Sequence, residues 1–368
     1  MSAYSHVYAH FPFCDVICHY CDFYTARSKD ADQVGFLAAI TKEARSFLQT
    51  EKPKLQALYL GGGTPSVSPL GELRDFINSF QPYLEIDAEI TLETNPNTIA
   101  DERLAAWQEM GINRISLGVQ SLTDTTLRRL GRTHTAAEAI ACLTQIYRLF
   151  PNTSADLIYA VPGTNKESLL EDARRFVDLG IPHLSAYHLT LESKHFLFSK
   201  LPNDEFASEQ VEQLSDFLQS QGYEHYEMSN FGKPGFRSKN NSNYWRGGAY
   251  FALGPSAHGF DGGQLRWKNI SDWKEYINRI NLGQSVVETR ETLSSEQLQI
   301  ERLFTALRTL EGLDLTQWEN SFGFSLAQQK SAVIERLVKE GLAALSNGHF
   351  VLTLRGRLVA DEIVKKLL

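Results

Sequence analysis

Six short apolar runs, each separated from the next by a stretch with helical spacing, set the strongest limit on how this chain can fold. "HVYAHF" (6–11), "ALYLG" (57–61), "EITLET" (89–94), "RISLGV" (114–119), "SADLIYAV" (154–161) and "HLSAYHL" (183–189) are nearly continuous in apolar residues, the pattern of strands buried on both faces. Between them, "GFLAAITKEARSFLQ" (35–49), "ELRDFINSF" (72–80), "ERLAAWQEM" (102–110), "AAEAIACLTQIYRLF" (136–150) and "ESLLEDARRFVDLG" (167–180) repeat apolar positions every three or four residues. Repeated strand–helix units predict an α/β fold, with a parallel sheet and right-handed crossovers. Six units are too few to close a full barrel, so a partial (βα)6 barrel is expected.

The texture changes near residue 230. "NFGKPGFRSKNNSNYWRGGAYFALGPSAHGF" is rich in Gly, Asn and aromatic residues, without a long helical period. Residues 231–290 are therefore expected to form loops or irregular strands that cover the barrel mouth. Helical spacing returns at "SSEQLQIERLFTALRTLEG", and a helix, a short hairpin and a closing helix follow. Residues 291–368 are thus predicted to include a small winged-helix-like unit beside the 1–230 barrel, giving an α+β carboxyl-terminal region. Such units sometimes read DNA, but Glu335, Glu340, Asp361 and Glu362 dilute the basic residues here. A net charge of −8 over 368 residues also argues against a general nucleic-acid binder. The amino-terminal stretch has no basic segment followed by an apolar one, and no run approaches the roughly 18 apolar residues of a spanning helix. A cytoplasmic protein is expected, with peripheral membrane association left open.

In a reducing compartment, closely spaced cysteines are more often metal ligands or catalytic thiols than a disulfide framework. Cys14, Cys18 and Cys21 crowd the loop after the first predicted strand, while Cys142 lies in a helical pattern and reads as a small buried hydrophobe. Neighbouring thiolates repel unless a cation or an iron–sulfur core takes up their charge. A zinc site that recruits His19 or His10 is the alternative, but zinc ligands usually come as two separated pairs. Three thiolates suit a 4Fe-4S cubane better, because one iron is then left free to bind a small chelating group. Other residues gather at the same predicted mouth. "GGGTP" ends the second strand, Glu93 and Gln120 close the third and fourth, and Asp156 sits inside the apolar fifth. A carboxylate there is costly unless it is paired or hydrogen-bonded.

"CDVICHYC" followed by "GGGTP" resembles the radical S-adenosylmethionine (SAM) superfamily. With "EITLETNP", "GINRISLGVQSL", "LGRTH", "DLIYAVPGT" and "NYWRGGAYFALGPSAHG", nearly the whole chain is similar to the oxygen-independent coproporphyrinogen III oxidase family, and within it the heme-chaperone (HemW-like) branch. The resemblance implies a 4Fe-4S cluster on Cys14, Cys18 and Cys21, with SAM chelating the open iron and split to a 5′-deoxyadenosyl radical by electron transfer. It also implies SAM contacts from Tyr8, Tyr20, Gly62, Gly63, Thr64, Glu93, Gln120, Arg132 and Asp156. An electron donor and a heme-acceptor protein would be partners.

Two departures bear on function. The oxidases carry a further cysteine two positions after the third ligand, where this chain has Phe23 after Asp22. They also have a longer segment ahead of the cluster motif. Both features favour the chaperone branch, implied to bind heme and pass it on, over the oxidase, which decarboxylates porphyrinogen propionates. That branch, however, resembles H-N-x-x-Y-W in the aromatic loop, and Asn240 stands where its histidine, the suspected heme ligand, would be. A carboxamide is a poor axial ligand, so bound heme needs another ligand, His258 first or else Tyr244, or a contact without iron ligation. Tyr244, Trp245 and Phe251 are candidates either to stack on a porphyrin or to fill the core.

Overall fold

The structure, a computed structural model, describes residues 2–368. The six predicted strands form as His6–Phe11, Leu55–Gly62, Leu84–Thr94, Arg114–Gln120, Asn152–Tyr159 and His183–His188. They lie side by side in chain order, each parallel to the next. Their apolar side chains, among them Val7, Leu58, Leu92, Ile115, Leu157 and Leu184, are wholly buried. Helices cover the outer face. Helix Gln33–Glu51 buries Phe36, Leu37, Ile40, Ala44 and Leu48, and starts where the Asp32 side chain accepts from the Gly35 N–H. Helix Ala136–Leu149 opens with a reciprocal cap between Thr135 and Glu138.

Polar side chains of three strands meet in the interior. Arg114 is buried and donates to Asn152 Oδ1 (2.6 Å) and to the Phe236 carbonyl (3.2 Å). Ser154 Oγ is 2.7 Å from His183 Nδ1, and His183 Nε2 is 2.8 Å from the Tyr226 hydroxyl. The sheet is therefore dry and apolar towards the helices and hydrogen-bonded within, which suits a curved sheet around a ligand.

Residues 231–290 depart from expectation. Phe251–Leu253 adds a further parallel strand beside His6–Phe11, while Asn230–Gly232 runs antiparallel to His183–His188 at the other edge. Residues His258–Phe260, Leu265–Asn269 and Val287–Thr292 form a separate antiparallel sheet. Leu253, Ile270, Tyr276, Ile280 and Val286 join the main apolar core, so the segment packs with the barrel and extends it. The carboxyl-terminal residues gather a second core around Leu307, Trp318, Phe350 and Ile363. There, helix Ser331–Lys339 is followed by the hairpin Ala343–Ser346 and His349–Leu352, then helix Ala360–Leu367, in the predicted order.

Candidate functional site

The carboxyl ends of all six parallel strands converge on one cavity of about 390 Å³. Of the residues expected to hold the cluster and SAM, all but Tyr8 line it, whereas the heme-ligand candidates Tyr244 and His258 do not. No residue of 231–290 is on its wall, which corrects the expectation that this segment covers it. Having spent its apolar side chains on the sheet edge and the core, the segment has none over the mouth.

Cys14 ends the short strand Phe13–Cys14, which pairs with Ala26–Arg27 and so fixes the start of the cysteine loop. Thr64 Oγ1 donates to Cys14 Sγ (3.3 Å), and Asn95 Nδ2 in turn donates to Thr64 Oγ1 (2.9 Å). Arg132 Nη1 donates to Cys18 Sγ (3.4 Å), while its Nη2 is held by the Gly118 carbonyl (2.8 Å) and by Asn95 Oδ1. Burial pushes the Cys14 thiol up to about 11 and also raises Cys21. Such thiols stay protonated at neutral pH until a metal displaces the proton.

The donor set fits an iron–sulfur cluster better than zinc. His10 Nε2 lies 2.9 Å from the Tyr24 carbonyl and His19 Nε2 lies 2.9 Å from the Arg129 carbonyl, so each ring is committed elsewhere. Among the described residues, no three His, Cys, Asp or Glu side chains converge closely enough to hold a single ion. All three cysteines line the one cavity, where a multinuclear core has room. Cys142, half-buried, donates to the Pro96 carbonyl and takes no part.

The glycine loop is seated on the cysteine-bearing chain. Gly63 N donates to the Phe11 carbonyl (2.7 Å) and Thr64 N to the Phe13 carbonyl (2.9 Å). Gly62 adopts φ +109°, a left-handed conformation that favours glycine. Its N–H donates to Glu93 Oε2 (2.9 Å), and Tyr59 donates to Glu93 Oε1 (2.6 Å). Burial still dominates, so the Glu93 carboxyl is pushed up to about 7. Asp156 is likewise raised by burial, opposed by hydroxyls of Ser185, Ser116 and Ser154; Ser116 Oγ donates to its Oδ2 at 3.0 Å. Both carboxyls thus sit in a cavity where a bound cation would favour their charged forms.

Because its folded value lies above the ordinary 4.5, Glu93 binds more protons folded than unfolded between pH 4.5 and about 7. Its contribution to stability is complete below pH 4.5 and lost as pH rises through about 7. In urea melts of the unloaded protein, the stability difference between wild type and Glu93→Gln is therefore expected to fall across that window, by no more than about 3 kcal/mol. A difference that grows with pH would contradict the burial of this carboxyl.

Tyr8 lies in the strand interior, with its hydroxyl 3.1 Å from His10 Nδ1 and its ring stacked on Tyr59 at 6.0 Å. It supports the residue that holds Glu93. Asn95, Ser116 and Tyr187 also line the cavity and were not singled out from the sequence. Asn95 is the most consequential, because it joins Thr64 to Arg132. The turn "TNP" was its one signal.

On the aromatic side, Asn240 is only 1% exposed in helix Lys239–Trp245, and both its side-chain polar atoms lack partners among the described residues. Phe251 stacks on Phe47 at 3.9 Å and packs edge-on to Tyr4, so it belongs to the core. His258 is exposed and makes no side-chain hydrogen bond among the described residues.

A partial parallel barrel with three cysteines at its carboxyl mouth defines a radical SAM protein. The radical SAM superfamily model matches residues 8–176, and the HemN C-terminal domain model matches residues 293–359. The chain belongs to the heme chaperone HemW family. It is 32% identical to heme chaperone HemW of Lactococcus lactis, covering 98% of this chain and 96% of that one. It is 33% identical to the Bacillus subtilis protein of the same name, covering 97% of each. The bovine mitochondrial radical S-adenosyl methionine domain-containing protein 1 is 30% identical, over 98% of this chain and 87% of its own. The solved structure of coproporphyrinogen III oxidase (HemN) from Escherichia coli superposes with a TM-score of 0.84 at 21% identity, over 98% of this chain and 89% of that one, a likeness of fold.

Proposed function

We propose that this protein is a cytoplasmic heme chaperone that carries a 4Fe-4S cluster and SAM, binds heme and transfers it to acceptor proteins. The observation that carries the reading is full-length similarity to HemW proteins combined with the cysteine triplet on the barrel cavity. Cys14, Cys18 and Cys21 would hold the cluster, which when bound supplies an electron to the sulfonium of SAM.

The protein's own residues have separable tasks. Thr64 and Arg132 offer hydrogen bonds to two of the sulfurs, and Asn95 fixes both donors. The Gly62–Gly63–Thr64 turn gives the methionyl end of SAM a close approach to backbone. Glu93 and Asp156 present carboxylates to a cationic ligand, and Gln120 and Tyr20 complete the wall. No helix among the described residues is long and apolar enough to cross a membrane.

Phe23, where an oxidase carries another cysteine, separates this role from porphyrinogen decarboxylation. Anaerobically reconstituted protein with SAM, reductant and coproporphyrinogen III is expected to yield no protoporphyrinogen while binding added heme. Product formation at enzymatic turnover would replace the chaperone by the oxidase.

A further inference from the structure

A second cavity, of about 470 Å³, opens between the aromatic loop and the carboxyl-terminal helices. Its volume lies within the range of cofactor clefts, roughly 300–1,000 Å³. It is distinct from the cysteine cavity and shares no lining residue with it. The adjoining helix Lys239–Trp245 is anchored by Lys239, whose N–H donates to Glu89 and whose Nζ donates to Asp87, in the amino-terminal part of their strand. The cysteine cavity opens at the other end of the strands.

The wall suits a flat apolar body with acidic arms. Tyr244, Tyr250, Phe260, Trp318 and Phe322 supply aromatic surface, and two glycine pairs, Gly247–Gly248 and Gly262–Gly263, leave room for a plane to approach. Trp318 is 2% exposed and its indole Nε1 has no partner among the described residues, an unusual state for a buried donor. Cationic groups exceed acidic ones. Arg266 is paired with Glu301, through Nη2 to Oε2 at 2.5 Å. Arg302 donates to the Arg246 carbonyl (2.6 Å) and Gln317 Oε1 (2.7 Å), both neutral acceptors, and makes no ion pair among the described residues. Arg246 is exposed at the rim.

Among the described residues, no histidine, cysteine or methionine lines the cleft, so a phenol is the wall's available ligand for iron. Tyr250 is the better placed of the two tyrosines. Arg266 Nη1 donates to its hydroxyl (3.3 Å); burial raises this phenol, and the guanidinium, itself paired with Glu301, opposes that rise and stands ready to hold the oxygen once iron displaces its proton. Tyr244 meets Tyr250 edge-on at 4.5 Å and has no cationic donor at its own hydroxyl.

We propose that this cleft is the heme site, with Tyr250 as the ligand to ferric iron and the propionates directed to Arg302 and Arg246. The assignment rests on the chaperone reading above. It also accounts for Asn240: that side chain is buried within helix Lys239–Trp245 and off the cleft wall, and the cleft provides a ligand without it. Heme and SAM would then occupy separate ends of the barrel and bind without competing.

The test is a heme titration of the full-length, anaerobically reconstituted protein, followed by absorption and resonance Raman spectra. Wild type is expected to bind one ferric heme with a tyrosinate signature. Tyr250→Phe should lose that signature and bind ferric heme at least about tenfold more weakly. Arg302→Gln should weaken ferric heme and metal-free protoporphyrin alike, which separates loss of a propionate contact from loss of an iron ligand. It also keeps the proposal testable if Tyr250→Phe fails to fold. If wild type binds heme while both variants match it, or if His258→Ala alone moves the spectrum, the cleft is wrong and the chaperone reading stands. If wild type binds no heme, both fall.

Discussion

Alanine at Cys14, Cys18 or Cys21 is expected to remove the iron–sulfur absorption of the reconstituted protein, with a loss of bound iron on the order of tenfold or more for each variant. Cys142→Ala should load normally, because that thiol is half-buried in helix Ala136–Leu149, hydrogen-bonded to the Pro96 carbonyl, and off the cavity. The size of the effect follows from the three-ligand arrangement. Losing one sulfur leaves two, and no nearby imidazole is free to replace it, since His10 and His19 are each held by a backbone carbonyl. Burial also keeps the Cys14 proton in place up to about 11, so loading must release it. Reconstitution should accordingly improve as pH rises from 7 towards 9. Normal iron content in Cys18→Ala or Cys21→Ala, or equal loss in Cys142→Ala, would overturn the assignment.

Gly63→Ala should cost the second-largest effect, a fall in SAM affinity of at least about tenfold with a lowered melting temperature. A Cβ there would lie 2.8 Å from the Phe11 carbonyl oxygen, 2.8 Å from Pro12 C and 2.9 Å from the Phe13 oxygen. These are backbone atoms, which cannot swing aside as a side chain can. They belong to the chain that carries Cys14, and the Gly63–Phe11 and Thr64–Phe13 hydrogen bonds bind the two segments together. One methyl group therefore moves the glycine loop and the first cysteine apart. Gly71→Ala, where a Cβ meets nothing within 4 Å, is the matched control and should be neutral or slightly stabilising. Indistinguishable SAM binding in the two variants, measured by equilibrium dialysis on reconstituted protein, would contradict this placement.

How much could be read from the sequence follows the physics of each element. Strands buried on both faces must be continuous apolar runs, so all six parallel strands were visible, though Leu84–Thr94 begins five residues before its predicted start. There "LEID" is polar enough to look like a loop. Phe251–Leu253 escaped notice because a three-residue edge strand has no period to detect. At the site, thiol spacing and glycine runs are dense signals, whereas Asn95 is one polar residue before a proline. Its importance comes from its two partners, Thr64 and Arg132, which are distant in sequence. Tyr8 matched by position, yet a side chain in a strand can face the lumen without reaching its mouth. Residues 231–290 misled for a related reason: Gly, Asn and aromatic richness suggested a cover, but the aromatic side chains went to the sheet edge and to a second cavity.

Heme transfer tests the central claim most directly. The full-length protein, reconstituted anaerobically and loaded with one equivalent of heme, is mixed with an apo-hemoprotein, and the acceptor's absorption spectrum is followed after separation of the two proteins. The account predicts that heme leaves the chaperone and appears in the acceptor faster than from free heme at the same concentration, and that cluster-free Cys→Ala protein differs in rate. Heme that stays bound, or moves no faster than free heme, would contradict it.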